Sequence, residues 1–156
     1  MSQKAHNDVT FSQFVRIEIL SDSYQKLLMG LFKKLFKESE PREEKILPWQ
    51  ALETLNQIEE IRKRSFQKTQ IIFKHSTRCG ISRMVLNQFV EQYDLDIDHA
   101  DLYFLDLLSF RQVSDEVGYS FEVLHESPQL IIIKEGNAVA HASHGAINAM
   151  EIHDLV

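Results

Sequence analysis

Ile71-Ile72-Phe73-Lys74-His75-Ser76-Thr77-Arg78-Cys79-Gly80-Ile81-Ser82 passes from an apolar strand, through a polar turn, into the start of an amphipathic helix. Cys79 stands at the junction and is the only cysteine among 156 residues. A helix start leaves backbone N–H groups unpaired and carries the positive end of the helix dipole. Both favour thiolate over thiol, so a cysteine placed there points to thiol-redox chemistry. The competing reading is a buried, inert cysteine, since free Cys is among the most buried residue types. The polar turn just before Cys79 favours the reactive one.

Outward from this stretch the elements alternate. Residues 47–49 predict a short edge strand, because Pro48 suits an edge and not a central position. Leu52, Leu55, Ile58 and Ile61 recur at three-residue spacing and predict a helix over 51–66 with one buried stripe. Residues 70–74 form a continuous apolar strand, and Ile81, Met84, Val85, Leu86, Phe89 and Val90 give the following helix its buried side. Residues 103–107 read as another buried strand. Ser109 is placed to cap a helix that contains Phe110, Val113 and Val117 and stops near Gly118. Residues 130–133 and 138–140 flank Glu135-Gly136-Asn137, a hairpin signal, and 146–155 close the chain as a helix. This order predicts an α/β fold, a mixed central sheet with helices on both faces.

Composition narrows the setting. An apolar content of 44% suffices for a single core. One cysteine forbids an intrachain disulfide and fits a reducing, cytoplasmic location. No apolar stretch approaches membrane-spanning length, and no signal-peptide pattern precedes the domain. A formal charge of −6 argues against a surface that tracks phosphates, so neither membrane nor nucleic acid is expected as a partner. Residues 1–28 follow no clean period. They read either as a partner-binding extension or as an upstream start, since the run from Met29 to Phe36 has the look of a native beginning. Within that run, 31–36 form a short amphipathic pattern, and 37–45 are a charged, proline-interrupted linker. The expected division is an N-terminal extension and linker over 1–45 and a folded domain over 46–156.

From residue 47 to 156 the chain resembles the thioredoxin superfold. The resemblance rests on Cys79 opening a helix, on Ser127-Pro128 directly before a strand, and on the 134–140 hairpin followed by Gly145 and a last helical segment. It implies that Pro128 is cis, that Ser127 and Pro128 lie beside Cys79, and that their loop pairs with the backbone of a bound substrate. Without the resemblance, Pro128 reads as an ordinary strand-start proline. The active stretch is also similar to the bacillithiol-system YtxJ proteins, the monothiol bacilliredoxins. The shared pattern is the Lys-His-Ser-Thr run at 74–77, one variable residue, Cys79, and Ile81-Ser82, with Leu47-Pro48-Trp49 where such domains begin. Many members have proline after the cysteine. Gly80 stands there instead, which makes the site similar also to the Cys-Gly-Phe-Ser site of monothiol glutaredoxins. The resemblance implies removal of bacillithiol from protein mixed disulfides, with bacillithiol as co-substrate and no bound cofactor. Its partners would be bacillithiolated client proteins and a low-molecular-weight thiol.

Each residue then has an expected task. Cys79 is the catalytic nucleophile and, in the second step, the leaving group. Thr77, Arg78, Gly80, Ile81, Ser82, Ser127 and Pro128 are the expected thiol- and substrate-binding residues. Ser82 occupies the place of a resolving cysteine. Its hydroxyl either donates to the thiolate or is ordinary helix-start chemistry, and in neither case can it close a disulfide. Arg78 adds positive potential near the sulfur, while Ser76 and Thr77 shape the turn and cap the helix. His75 reads as a strand-end structural histidine, with thiol tuning as the sharper alternative. His141 and His144 lack a second cysteine to complete a zinc site, so no metal is assigned. Arg62, Lys63, Arg64 and Lys68 form a basic cluster, either a solvated helix face or a surface for the malate carboxylates of bacillithiol. Three function classes follow: a monothiol oxidoreductase, an iron–sulfur carrier like a monothiol glutaredoxin, and a redox-silent thioredoxin-like binding module. The carrier reading is weakened because the Gly-Gly-x-Asp segment of such proteins is not recognisable in this chain.

Overall fold

Alternation along the two central strands sets the architecture. In β2 (Thr69–His75), Ile72 points to one face while Ile71 and Phe73 point to the other; in β4 (Gln129–Lys134), Ile131 and Ile133 oppose Leu130 and Ile132. All seven are fully buried, each worth roughly 1.5–3 kcal/mol of transfer free energy. Strands that are apolar on both sides need cover on both sides. Helices α1 (Leu55–Arg64) and α3 (Arg111–Ser120) supply it on the Ile72 face, and α2 (Gly80–Gln92) with a short 3₁₀ segment (His144–Ala149) supplies it on the Phe73 face. With β1 (Trp49–Ala51), β3 (Ala100–Asp106) and β5 (Asn137–Ser143), the sheet has the order β1-β3-β2-β4-β5. β1, β3 and β2 run parallel, and β4 and β5 join antiparallel. This is the mixed α/β sheet that the pattern predicts, in the thioredoxin-like form that the resemblance implies. It is a computed structural model describing Lys26 and residues 45–156. The Met29 start, the 31–36 amphipathic stretch and residues 37–44 of the linker lie outside the described residues.

Several boundaries differ from expectation. The edge strand begins at Trp49, and α1 begins only at Leu55. Ala51 ends β1, and Leu52, fully buried in the connection, donates its N–H to the Phe104 carbonyl at 2.9 Å. Leu55 is therefore at the helix mouth and exposed, leaving Ile58 and Ile61 to form the buried stripe. Ser109 does not cap α3. Its hydroxyl donates to Asp106 Oδ2 at 2.7 Å, Phe110 takes the N-cap position, and the helix runs past Gly118 to Ser120. The closing helix is instead two 3₁₀ segments, His144–Ala149 and Ile152–Leu155, broken at Met150 where the backbone turns extended. At the 135–136 turn Gly136 has a φ of 83°, and a Cβ there would meet the Phe66 ring at 3.1 Å. The hairpin signal was a conformational requirement. Among the described residues no helix is long and apolar enough to cross a membrane.

Candidate functional site

Phe73, Phe89 and Trp49 pack ring against ring at 5.3–6.2 Å and fasten the later turns of α2 to the sheet. The chain leaving β2 at His75 must then turn sharply into α2. The Cys79 N–H donates to the Ser76 carbonyl at 3.0 Å to close that turn. Cys79 itself is the N-cap residue, with extended φ/ψ of −104° and 120°, and its carbonyl accepts the Arg83 N–H at 3.1 Å. The residue thus holds the position next to the free first-turn amides, although its side chain makes no capping hydrogen bond to them. The thiol is half-buried and unpaired by any disulfide. Thr77, Arg78, Gly80 and Ile81 around it are exposed.

Of the two readings of Ser82, the structure shows the local one, a hydroxyl engaged by the turn at the helix start. Ser82 is fully buried; its hydroxyl accepts the Ser76 N–H at 3.1 Å and shares a hydrogen bond with His75 Nδ1 at 2.8 Å. Among the described residues no hydrogen bond joins it to Cys79. Ser82 instead braces the turn against the strand end. His75 is the structural histidine of the first reading, buried and packed on Phe104 with ring centroids 5.5 Å apart. Burial pushes its pKa below the ordinary histidine value, Asp106 opposes that shift and Arg83 adds to it. Burial would raise the Asp106 carboxyl, but hydrogen bonds from Ser109 and the Leu108 amide outweigh it and hold the group low.

The antiparallel register places the second half of the site. Lys74 pairs with Gln129, so Pro128 comes next to His75 at the same end of the sheet as the Cys79 turn. The Ser127–Pro128 bond is cis, as the resemblance implies, and the Pro128 carbonyl accepts the His144 N–H at 3.1 Å. Pro128 is buried, and the Ser127 hydroxyl is buried without a hydrogen-bond partner. Ile81 and Met84 were expected on the core side of α2. They are 57% and 53% exposed: at ~100° per residue both fall to one side of the stripe buried by Ser82, Val85 and Phe89, while Leu86 and Val90 are partly covered on its other side. An apolar margin therefore adjoins the thiol.

The basic cluster is at the other end of β2. Thr69 and His75 are six residues apart, roughly 20 Å along a strand. Three of its charges are also engaged: Arg62 bonds the carbonyls of Ser120 and Gly136 and lies over the Phe121 ring, while Lys68 and Arg64 face Asp101. A role beside the thiol is excluded by this placement. His141 and His144 lie exposed on and just beyond β5, and among the described residues no group of three His, Cys, Asp or Glu side chains is gathered to hold a metal. The sequence pattern includes Lys74 but assigns no task to it or to His125. Lys74 is fully buried, and its Nζ donates to His125 Nδ1 at 3.0 Å and to the Ser114 carbonyl at 3.2 Å. The available signal was alternation, which puts Lys74 on the buried Ile72 face.

Known proteins place this arrangement. In solved structures the chain is similar to a protein described as "a putative oxidoreductase with a thioredoxin fold", at 28% identity and a TM-score of 0.56, over 68% of this chain and 91% of that one. Thioredoxin Mala s 13 of Malassezia sympodialis matches at 19% identity and TM-score 0.55, over 69% and 91% of the two chains. Thioredoxin NaTrxh of Nicotiana alata matches at 21% and 0.51, over 69% and 90%. These last two speak to the fold alone. The family described as monothiol bacilliredoxin BrxC matches residues 50–152, which span the sheet, the Cys79 turn and the Pro128 loop. With its lone cysteine at the mouth of α2 and a thioredoxin-like sheet beneath it, the chain belongs to the monothiol bacilliredoxin BrxC family and carries the fold of a thiol-disulfide oxidoreductase.

Proposed function

We propose that the protein removes bacillithiol from protein mixed disulfides by a monothiol route, the role implied by its likeness to YtxJ proteins, in a reducing cytoplasm. The observation that carries this is the half-buried, unpaired Cys79 at the N-cap of α2, in a chain with no second cysteine. The Cys79 thiolate attacks the bacillithiol sulfur of the client disulfide; the old S–S bond breaks, the client leaves as a thiolate and takes a proton from solvent, and a Cys79–bacillithiol disulfide forms. An outside low-molecular-weight thiol then attacks the bacillithiol sulfur and forms the new disulfide. Cys79 leaves as thiolate, ready for another cycle. First-turn amides facing the N-cap suit both the attacking and the departing anion.

The binding surface comprises Thr77, Arg78, Gly80 and the apolar Ile81, with the Ser127–Pro128 loop offering its backbone to the client chain. Ser82 acts on this surface indirectly, by holding the turn. Residues 46–156 form the exchange domain in this reading, and 1–45 an extension to it. No resident cofactor or metal is needed, because the electrons stay within the exchanged disulfide. Intact mass after incubation with a bacillithiolated client tests the reading. The wild-type protein gains one bacillithiol increment, which vanishes on adding free bacillithiol or a dithiol; Cys79→Ser gains none. A wild-type chain that acquires no increment is not an oxidoreductase of this kind, and the binding-module reading replaces it.

A further inference from the structure

Lys74 is an odd residue to find inside a sheet. It is fully buried at the penultimate position of β2, on the face covered by α3. Among the described residues no carboxylate lies within ion-pair reach of it; Nζ is held by the Ser114 carbonyl and by His125 Nδ1. An ammonium desolvated without a bound counter-ion is a costly arrangement that a methionine of similar length would avoid. What the arrangement secures is a loop. His125 lies three residues before Pro128, and the register partner of Lys74, the equally buried Gln129, grips the same loop. Gln129 Nε2 donates to the Leu124 carbonyl at 2.7 Å, and Gln129 Oε1 accepts the Glu126 N–H at 3.4 Å. Two buried polar side chains, opposite one another on β2 and β4, thus hold consecutive residues 124, 125 and 126. The thiol turn is fastened separately, through Ser76, Ser82 and His75.

We propose that Lys74 and Gln129 form a two-point clamp that positions the loop leading into Ser127–Pro128, with Lys74 a positioning residue that governs client affinity and not the reactivity of Cys79. This rests on the exchange reading above, since it takes that loop as the edge on which the client is held. Two independent fastenings make a separable prediction: loosening the clamp moves the loop and leaves the sulfur alone.

The test compares the wild-type chain with Lys74→Met and His125→Phe. Backbone amides of His125, Glu126 and Ser127 should exchange hydrogen at least ~10-fold faster in both variants, the scale expected for losing one hydrogen bond to a charged group, while Leu102 and Leu105 in β3 keep their protection. With a bacillithiolated client, KM should rise ~10-fold while kcat and the rate of Cys79 alkylation by iodoacetamide stay within about twofold. Unchanged loop exchange in a folded variant overturns the clamp, and so does slowed alkylation at unchanged KM. If Lys74→Met does not fold, His125→Phe alone decides, because it alters only the exposed, loop side of the contact. Loop exchange needs no client. A wild-type protein inactive on mixed disulfides would therefore refute the exchange reading while the clamp is still judged on its own measurement.

Discussion

The two ends of the central sheet handle the same problem, buried polar side chains, in opposite ways. At the end away from the thiol, Asp101 accepts from Lys68 Nζ at 2.7 Å and from Gln70 Nε2 at 2.9 Å, and Gln70 Oε1 accepts the Tyr103 hydroxyl at 3.0 Å. Burial would raise the Asp101 carboxyl, yet these hydrogen bonds hold it below its ordinary value. Here a cation meets a carboxylate and each neighbour has a partner. At the thiol end the buried cation, Lys74, meets an imidazole and a carbonyl, and the buried hydroxyls of Ser114 and Ser127 have no partner. Burial pushes Lys74 down to about 8, with only the field of Asp115 opposing. One end is arranged for stability. The other tolerates unpaired groups, as working sites do when their geometry serves something besides stability.

The sharpest way to break this contrast is at the sulfur. Cys79→Ser should abolish exchange while leaving the thermal midpoint within a few degrees of wild type; residual turnover in that variant would place the chemistry elsewhere. Next in size is a pH effect. Lys74 titrates at about 8 in the folded chain and at 10.5 when unfolded, so between those values the unfolded chain binds the extra proton. Stability should therefore rise with pH from 8 upward, by on the order of 2–3 kcal/mol by pH 10 relative to Lys74→Met. Tyr93, pushed up to about 12 by burial, works in the opposite direction above pH 10, so urea titrations from pH 7 to 10 isolate the lysine. Equal slopes for wild type and Lys74→Met would show that the ammonium is at ease where it lies.

Ser82→Ala tests the brace. It strands His75 Nδ1 and the Ser76 N–H in a buried place, and should cost about 1–3 kcal/mol in urea unfolding and slow exchange without stopping it. Full loss of activity with unchanged stability would instead make the hydroxyl a direct partner of the sulfur. The smallest effect belongs to the far end. Asp101→Asn weakens the bond to Lys68 and should lower stability by ~1 kcal/mol while leaving exchange at the wild-type rate. A rate that fell with it would mean that the two ends are coupled through β2 and β3, and the contrast would fail.

How much of this was legible from the chain depends on how far apart the interacting residues stand. The passage from strand to Cys79 helix was readable because its causes are local: an apolar run, a polar turn, then apolar residues at helical spacing. Glu135-Gly136 announced a turn for the same reason, since the positive φ there is a property of the turn itself. The helix stripe misled at Ile81 and Met84. They are apolar, but the helix lays the Ser82, Val85 and Phe89 side on the sheet, and which side of a broad apolar stripe is covered depends on how the helix is rotated against the strands. For Arg62 and Lys68 the sequence left two readings open, and the structure decides against the one beside the thiol, because a cluster close to Cys79 in sequence is a whole strand away from it in space.

The sequence by itself determined the alternation of strands and helices, the position of the lone cysteine at a helix start, and the proline before β4. Each is settled by periodicity or by the chemistry of a few neighbouring residues. Only the tertiary structure decided that Ser82 turns to His75 and not to the sulfur, that Ile81 is left bare, and that Lys74 grips a residue 51 positions further on. The first two follow from which side of α2 is laid on the sheet, and the Lys74 contact follows from the strand order β1-β3-β2-β4-β5, which sets β2 beside β4 in antiparallel register. No local pattern encodes that pairing, because it is the burial of both faces of the sheet together that selects it.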